Sequence, residues 1–501
     1  MAIALCCAAL FALRAETGSE ACAACHREIY ESYRATGMAR SSGAVAGIDG
    51  EAAFTDKASG VAYRAFRQDG AAWFSFEAGA ARGQRRLQYF IGSGTVGRSY
   101  LYAVDGFLYQ SPVSWYTAAA RWDLSPGYQQ YRELYLTRGI EPVCLDCHAS
   151  GLAHTAGTTN GYAATPFREG GVSCERCHGP GDAHVAGRGA MVNPARLTAD
   201  RRDSICAQCH LAGEARIARA GAPLYRPSDR LADSLVVFEW TGGPDMNVTS
   251  HFETLAQSAC KRASGDRLWC GSCHDPHRTP AESEKVAFYR ARCLGCHQAT
   301  QCARGPDCAG CHMPKAPVRD VQHAAYTDHA IRKPGTRPAS IGGARKLAPF
   351  GGAAAGDREF GLAYASLPGF EKQAREYLER APQNDGEVLA HLGYLYESGG
   401  NAVKAATLYQ KALKLDPSQV AAAVNLGNHY ARRGEEREAI ALWRSALERS
   451  PGLESVRLSL AVALYRNGDP KGGADNLRKL LQLNPANAAA RKLVDEARAG
   501  H

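Results

Sequence analysis

Cysteine and histidine in this sequence fall into one repeated spacing. Two cysteines three residues apart, with a histidine directly after the second, occur at Cys22, Cys25 and His26, and at Cys144, Cys147 and His148. They recur at Cys174, Cys177 and His178, at Cys206, Cys209 and His210, and at Cys270, Cys273 and His274. Cys293, Cys296 and His297, then Cys308, Cys311 and His312, complete the set. With 18 cysteines and 16 histidines in 501 residues, random placement yields about 0.02 such motifs, so seven have a chemical cause. Thiols at this spacing add to the two vinyl groups of a porphyrin while the histidine ligates its iron from the proximal side. Zinc held by cysteine pairs needs no histidine after every second cysteine. The trailing imidazole in all seven copies selects covalent haem c, seven groups in all, as the expected cofactor.

The second axial ligand separates carriers from catalysts, because an iron with two strong ligands has no open position. Beyond the proximal residues, the haem-bearing stretch 19–332 has six histidines: His154, His184, His251, His277, His323 and His329. Seven irons need seven distal ligands, and Met38 is the candidate for the last place. Its other reading is a methionine packed against a porphyrin. A thioether ligand would raise that haem's potential above its bis-histidine neighbours. His277 lies three residues after His274 with Pro276 between, so it is expected on a neighbouring iron. Met191, Met246 and Met313 read as packing residues. Cys260 and Cys302 are the cysteines left over in the mature chain; they read as a disulfide, with two free thiols as the alternative.

These ligands must be carried by elements that the sequence also marks. Residues 2–13 are an apolar run too short to span a bilayer, followed by a polar stretch. Residues 1–15 therefore read as a signal peptide, and the mature protein is expected in the periplasm or at the extracellular face. No later segment is long and apolar enough to be transmembrane. The formal charge is +9, but Lys and Arg form no basic run. Seven haems would add 7 × 2 = 14 propionates, so the charge does not point to nucleic acid. Residues 16–332 read as one heptahaem domain at roughly 45 residues per haem, with porphyrins filling much of its core. After the first motif, apolar residues at helical spacing predict a helix that Gly37 ends, exposing Met38. Residues 51–116 lack a motif and change period. Stretches 61–66, 73–76, 87–90, 100–104 and 107–109 read as strands, with Asp105-Gly106 as a hairpin turn, and are expected as a small antiparallel sheet over the first haem. The glycine-rich 92–97 lacks the Walker lysine and reads as a turn.

Past His329 the character changes. Residues 333–356, rich in Gly, Ala and Pro, read as a linker. Pro382, Pro417, Pro451 and Pro485 are then spaced by 35, 34 and 34 residues. Leu392-Gly393 with Tyr396 recurs as Leu426-Gly427 with Tyr430, and Tyr409, Trp443 and Leu477 follow the same period. This is the tetratricopeptide period, one pair of antiparallel helices per repeat. Residues 357–501 are expected as an all-α solenoid with a degenerate first repeat and a capping helix over 486–499, its groove open to protein or peptide. The fold class is mainly α, with a haem-cored domain, a β insertion and a repeat array.

The haem region resembles the cytochrome c-554/c-prime superfamily, whose relatives include the hydroxylamine oxidoreductase and octahaem tetrathionate reductase groups. The resemblance rests on Cys174-Glu175-Arg176-Cys177-His178-Gly179-Pro180-Gly181 with His184, and on His251-Phe252-Glu253 running to Ser258 and Cys260. It rests also on Cys273-His274-Asp275-Pro276-His277, and on Cys311-His312-Met313-Pro314 with Thr327-Asp328-His329. In that superfamily a histidine commonly follows the first motif at the place of Met38, which implies a ligand role here and marks a departure. Catalytic relatives use a lysine proximal ligand or a crosslinking tyrosine; seven proximal histidines here imply an electron carrier rather than an enzyme. The leading expectation is relay of electrons between redox protein partners, with the repeats docking one of them. Reduction or oxidation of a small nitrogen or sulfur compound at an open haem is the alternative, and a scaffold or haem-based sensor the third.

Overall fold

The computed structural model describes residues 17–242, 246–301, 305–336 and 345–499. The expected signal peptide, Cys302, and hence the Cys260–Cys302 pairing, lie outside them. Strand-forming residues come first. Alternating apolar positions bring nine strands into two antiparallel sheets: β1 (Ser42–Ala44), β2 (Ala52–Thr55), β3 (Ala62–Gln68), β4 (Ala71–Ala78), β5 (Ala81–Arg86), β6 (Tyr89–Ile91), β7 (Gly97–Val104), β8 (Phe107–Tyr116) and β9 (Arg121–Leu124). One sheet runs β1-β6-β7-β8-β9 and the other β2-β3-β4-β5. Their inward residues share one core, with Tyr63, Phe74 and Phe76 from one sheet meeting Tyr100, Tyr102 and Trp122 from the other. Asp105 and Gly106 both take positive φ (50° and 80°), the backbone that a tight two-residue hairpin requires. Both ends reach past 51–116, because polar β1 and the short β9 have too little apolar alternation to show.

The β lobe supports the second haem motif, not the first as expected. Leu145, between Cys144 and Cys147, is fully buried with Leu101, Leu108 and Tyr162, and Ser41 Oγ donates to the His148 carbonyl at 2.9 Å. Between the lobe and the repeats the motifs sit on short helices joined by irregular chain. A separate three-stranded sheet pairs Ala215–Ala218 with Leu235–Trp240 and the latter with Leu347–Pro349. The expected linker is thus partly structural, since Leu347 is buried in this sheet's core.

Among the described residues the C-terminal array is nine helices: Asp357–Ala365, Glu371–Arg380, Gly386–Ser398, Ala402–Leu415, Val420–Arg432, Glu436–Arg449, Glu454–Arg466, Pro470–Leu483 and Ala488–Ala499. Small residues at the periodic positions let paired helices approach. A Cβ on Gly393 would lie 2.5 Å from the Tyr409 ring, and one on Gly427 2.7 Å from Trp443. Asp385, Asn401 and Asp469 cap their helices by accepting backbone N–H bonds. The array is fastened at both ends. Its first helix shares a core with the three-stranded sheet, and near its end Leu483 and Ala486 enter the β-lobe core.

Candidate haem sites

The spacing of each motif is that of one helical turn. The amide of His26, His178, His274 and His297 donates to the carbonyl of the first cysteine of its own motif at 2.8–3.0 Å. That brings both thiols and the imidazole to neighbouring positions on one turn. His210 and His312 end helices that contain their cysteines, Ala199–His210 and Cys308–His312. His148 alone bonds tighter, to Leu145 at 2.8 Å.

Opposed imidazoles are the test of whether these turns suit haem. A metal–imidazole bond is about 2 Å and the ring centre lies about 1 Å behind its nitrogen, so rings sharing one iron sit roughly 6 Å apart. His26 and His184 are stacked at 6.3 Å and 19°. His178 and His277 stand at 5.9 Å and 11°, and His274 and His329 at 6.1 Å and 34°. Three pairs thus have the separation that bis-histidine ligation needs. His210 and His251 also meet, but edge to face at 4.8 Å with their Nδ1 atoms 3.3 Å apart, and His251 is edge-on to His329 as well.

Hydrogen bonding and burial prepare these rings as neutral ligands. Nδ1 of His178 lies 2.8 Å from the Val192 carbonyl and that of His312 2.8 Å from the Arg332 carbonyl. His184 and His329 bond likewise to Gly189 and Thr327 at 3.0 and 2.9 Å. A proton fixed on Nδ1 leaves Nε2 for a metal. Burial, reinforced by neighbouring histidines, lowers His251 to about 3 and His274 to about 4. Burial also lowers His148, His210, His277 and His329. Such rings are uncharged at neutral pH.

Three predicted distal ligands do not face a proximal ring here. His26 of the first motif is faced by His184, while the Met38 carbonyl shares the Ser41 hydroxyl with the carbonyl of His148, which places Met38 beside the second motif. His154 lies edge-on to Tyr162, its Nε2 buried without a hydrogen-bond partner. His323 Nε2 is 2.8 Å from an Asp123 carboxylate oxygen and its ring lies edge-on to Tyr116. Among the described residues no imidazole stacks with His148 or His312.

Other features fit a large apolar group bound through sulfur. Exposed apolar side chains recur beside the motifs, at Ile29, Val143, Val185 and Leu294, where a macrocycle would cover them. A cavity of ≈ 260 Å³ beside Cys270 is lined by Ala207, Leu211 and Phe252, with Arg230 and Lys261 paired to Asp200 and Asp203 on the same wall. Thiols of different motifs are near enough to affect one another's ionisation: Cys22 and Cys174, Cys147 and Cys209, Cys206 and Cys270, and Cys293 and Cys308. Cys177 stands near Cys206, and Cys273 near Cys296. The motifs thus lie near one another in the order first–third–fourth–fifth–sixth–seventh, with the second beside the third and the fourth. Cys260 sits close to Cys273 and Cys293. Tyr33 was not legible as a site residue; its ring edge lies on His277 at 6.3 Å and its hydroxyl donates to the Val172 carbonyl at 2.6 Å.

Comparison with known proteins agrees with this chemistry. Residues 117–179 match the family described as cytochrome c554 and c-prime, and residues 262–302 match the doubled CXXCH motif. No curated protein matches the chain. Solved structures similar to it include MamA AMB-1, 28% identical over 27% of this chain and 80% of that one, with a TM-score of 0.25. YrrB, described as a TPR protein with an unusual peptide-binding site, is 20% identical over 28% of this chain and 73% of that one, TM-score 0.25. Four of the seven motifs fall inside the two matched stretches; the chain is a covalent haem c protein with a cytochrome c554 and c-prime family segment, continued by a C-terminal helical repeat array.

Proposed function

We propose that this chain is an exported heptahaem electron carrier that relays electrons between redox proteins. The observation that carries the reading is the set of imidazole pairs spaced for two-sided ligation, on motifs that lie near one another in the fold. Haem iron, when bound, stores and passes one electron by changing between its ferric and ferrous states. The chain's residues do the rest. Fourteen cysteines anchor the groups, His26, His148, His178, His210, His274, His297 and His312 supply proximal nitrogen, and His184, His277 and His329 close the distal side of three centres. Met38 is the ligand candidate for the second centre. Backbone carbonyls hold Nδ1 of His178, His184, His312 and His329 protonated, and burial disfavours charge on His148, His210, His251, His274, His277 and His329. An oxidising compartment, the periplasm or cell surface, agrees with the apolar 2–13 run. Among the described residues no helix is long and apolar enough to cross a membrane. The repeat array would dock a protein or peptide, the use that solenoid grooves serve.

A second reading has one specific observation in its favour. His148 and His312 lack a facing imidazole among the described residues, so either iron could take a small nitrogen or sulfur ligand. One set of measurements separates the two. The holoprotein mass should exceed the apoprotein by seven haems, and the ferric EPR spectrum should be wholly low-spin and unmoved by nitrite, hydroxylamine or cyanide. A high-spin component that shifts on adding one of these would replace the carrier with a reductase or oxidase.

A further inference from the structure

A ring nitrogen left free by an iron needs an acceptor, and in this chain most acceptors are backbone carbonyls. His274 differs. Its Nδ1 faces the Tyr289 hydroxyl at 3.5 Å, and the two rings lie edge to face with centres 5.6 Å apart. Tyr289 is half-buried on Lys285–Leu294, the helix that carries Cys293 of the sixth motif. Its hydroxyl lies near Cys273, and Phe288 backs its ring edge to face at 5.2 Å. A side chain from the sixth motif's helix thus reaches the proximal ring of the fifth.

We infer that Tyr289 is the hydrogen-bond partner that tunes the potential of the fifth centre, a positioning residue lent by the neighbouring motif. The inference rests on the haem assignment proposed above. With Nε2 given to iron, His274 carries its proton on Nδ1 and donates it to Tyr289 Oη. That bond raises the electron density the ring offers the metal and so favours the oxidised state. A phenol is a poorer acceptor than an amide carbonyl, and 3.5 Å is longer than the 2.8 Å at His178 and His312. The fifth centre is therefore held less firmly toward the oxidised state than those two, and it responds to any movement of the sixth motif's helix.

The test is Tyr289→Phe, which keeps the ring and its packing and removes only the oxygen. The purified holoprotein is first weighed by mass spectrometry, then titrated potentiometrically with EPR detection of the low-spin signals. One centre should move to a more positive potential and one low-spin component should change its g values, while the others keep theirs. Unchanged potentials, or several centres moving together, would overturn the role of Tyr289. A wild-type mass one haem short, with Cys270 and Cys273 open to alkylation, would instead overturn the haem assignment and the inference with it.

Discussion

His277 shows how much one ring decides. It lies opposite His178 at 5.9 Å, held from the side by Tyr33, and in the proposed ligation it takes the third iron's distal position. His277→Ala should open that position, so ferric EPR should gain a high-spin signal worth one iron that cyanide abolishes. Met38 makes a separate claim on the second motif. If its sulfur is a ligand, a charge-transfer band at the red edge of the visible spectrum should be present and should vanish in Met38→Ala; no band in the wild type would refute the ligation. A carboxylate sets a pH dependence beside these sites. Burial, with the neighbouring Glu253 carboxylate adding to it, raises Glu239 to about 7 from its usual 4.5. The folded state then holds a proton that the unfolded state has released, so stability is greatest below the unfolded value and falls as pH rises toward about 7. Glu239→Gln should flatten the melting temperature against pH across that window. The motifs were legible because their chemistry is local, three and four residues apart. The distal partners were legible only as a roster, since His26 meets His184 and His178 meets His277 through tertiary structure. Carbonyl acceptors carry no sequence signature at all.

Elements divide along the same line. The repeat helices were legible because their packing is periodic: Ala405, Tyr409, Ala439, Trp443 and Leu477 are all buried, as the 34-residue spacing requires. Gly427 fits where a Cβ would stand 2.7 Å from the Trp443 indole, and a helix interior otherwise favours alanine over glycine. Overpacking a closed helix pair costs about 1–3 kcal/mol, so Gly427→Ala should lower the melting temperature of the array, followed by far-UV circular dichroism. A variant as stable as the wild type would mean that this pair can open without loss. The β lobe was half legible. Its central strands alternate cleanly, but β1, β6 and β9 are three or four residues long, and their partners are chosen by sheet topology. The strand Leu347–Pro349 was hidden for another reason: glycine, alanine and proline around it give the composition of a linker, and only pairing with Trp240 and Phe238 makes it a strand.

At the scale of the whole molecule, the repeat array is a brace. Near its C-terminal end, Glu454 accepts from Thr137 at 3.0 Å and from Asn484 at 2.8 Å. Arg85 donates to the Gln482 carbonyl at 2.6 Å, Thr159 N to the Arg449 carbonyl at 2.9 Å, and Lys479 pairs with Asp105. At the other end Arg358 donates to the Ala218 carbonyl at 2.7 Å, beside the shared core of the three-stranded sheet. A solenoid stiff along its length and fastened at two points would fix the β lobe, and with it the second motif, relative to the fourth. That spacing matters for the proposed carrier, because the second motif meets the series through Cys147 beside Cys209 and through Asp146, which pairs with Arg176 of the third motif at 3.2 Å. The weak point is Gly452, where a Cβ would come within 3.1 Å of the Tyr109 ring and 3.2 Å of the Thr137 carbonyl. Gly452→Leu combined with Asn484→Ala should force this end of the array off the lobe, removing a buried hydrogen bond worth about 1 kcal/mol and adding a clash of about 1–3 kcal/mol. Small-angle scattering should then report a larger radius of gyration, and protease should cut first near 449–454, while the haem spectrum of the isolated centres stays the same. If scattering is unaltered, the bracing contact carries no weight. If the double variant also slows electron exchange between the second centre and the rest, the array's role is structural as well as adhesive: it holds one branch of the conduit in register.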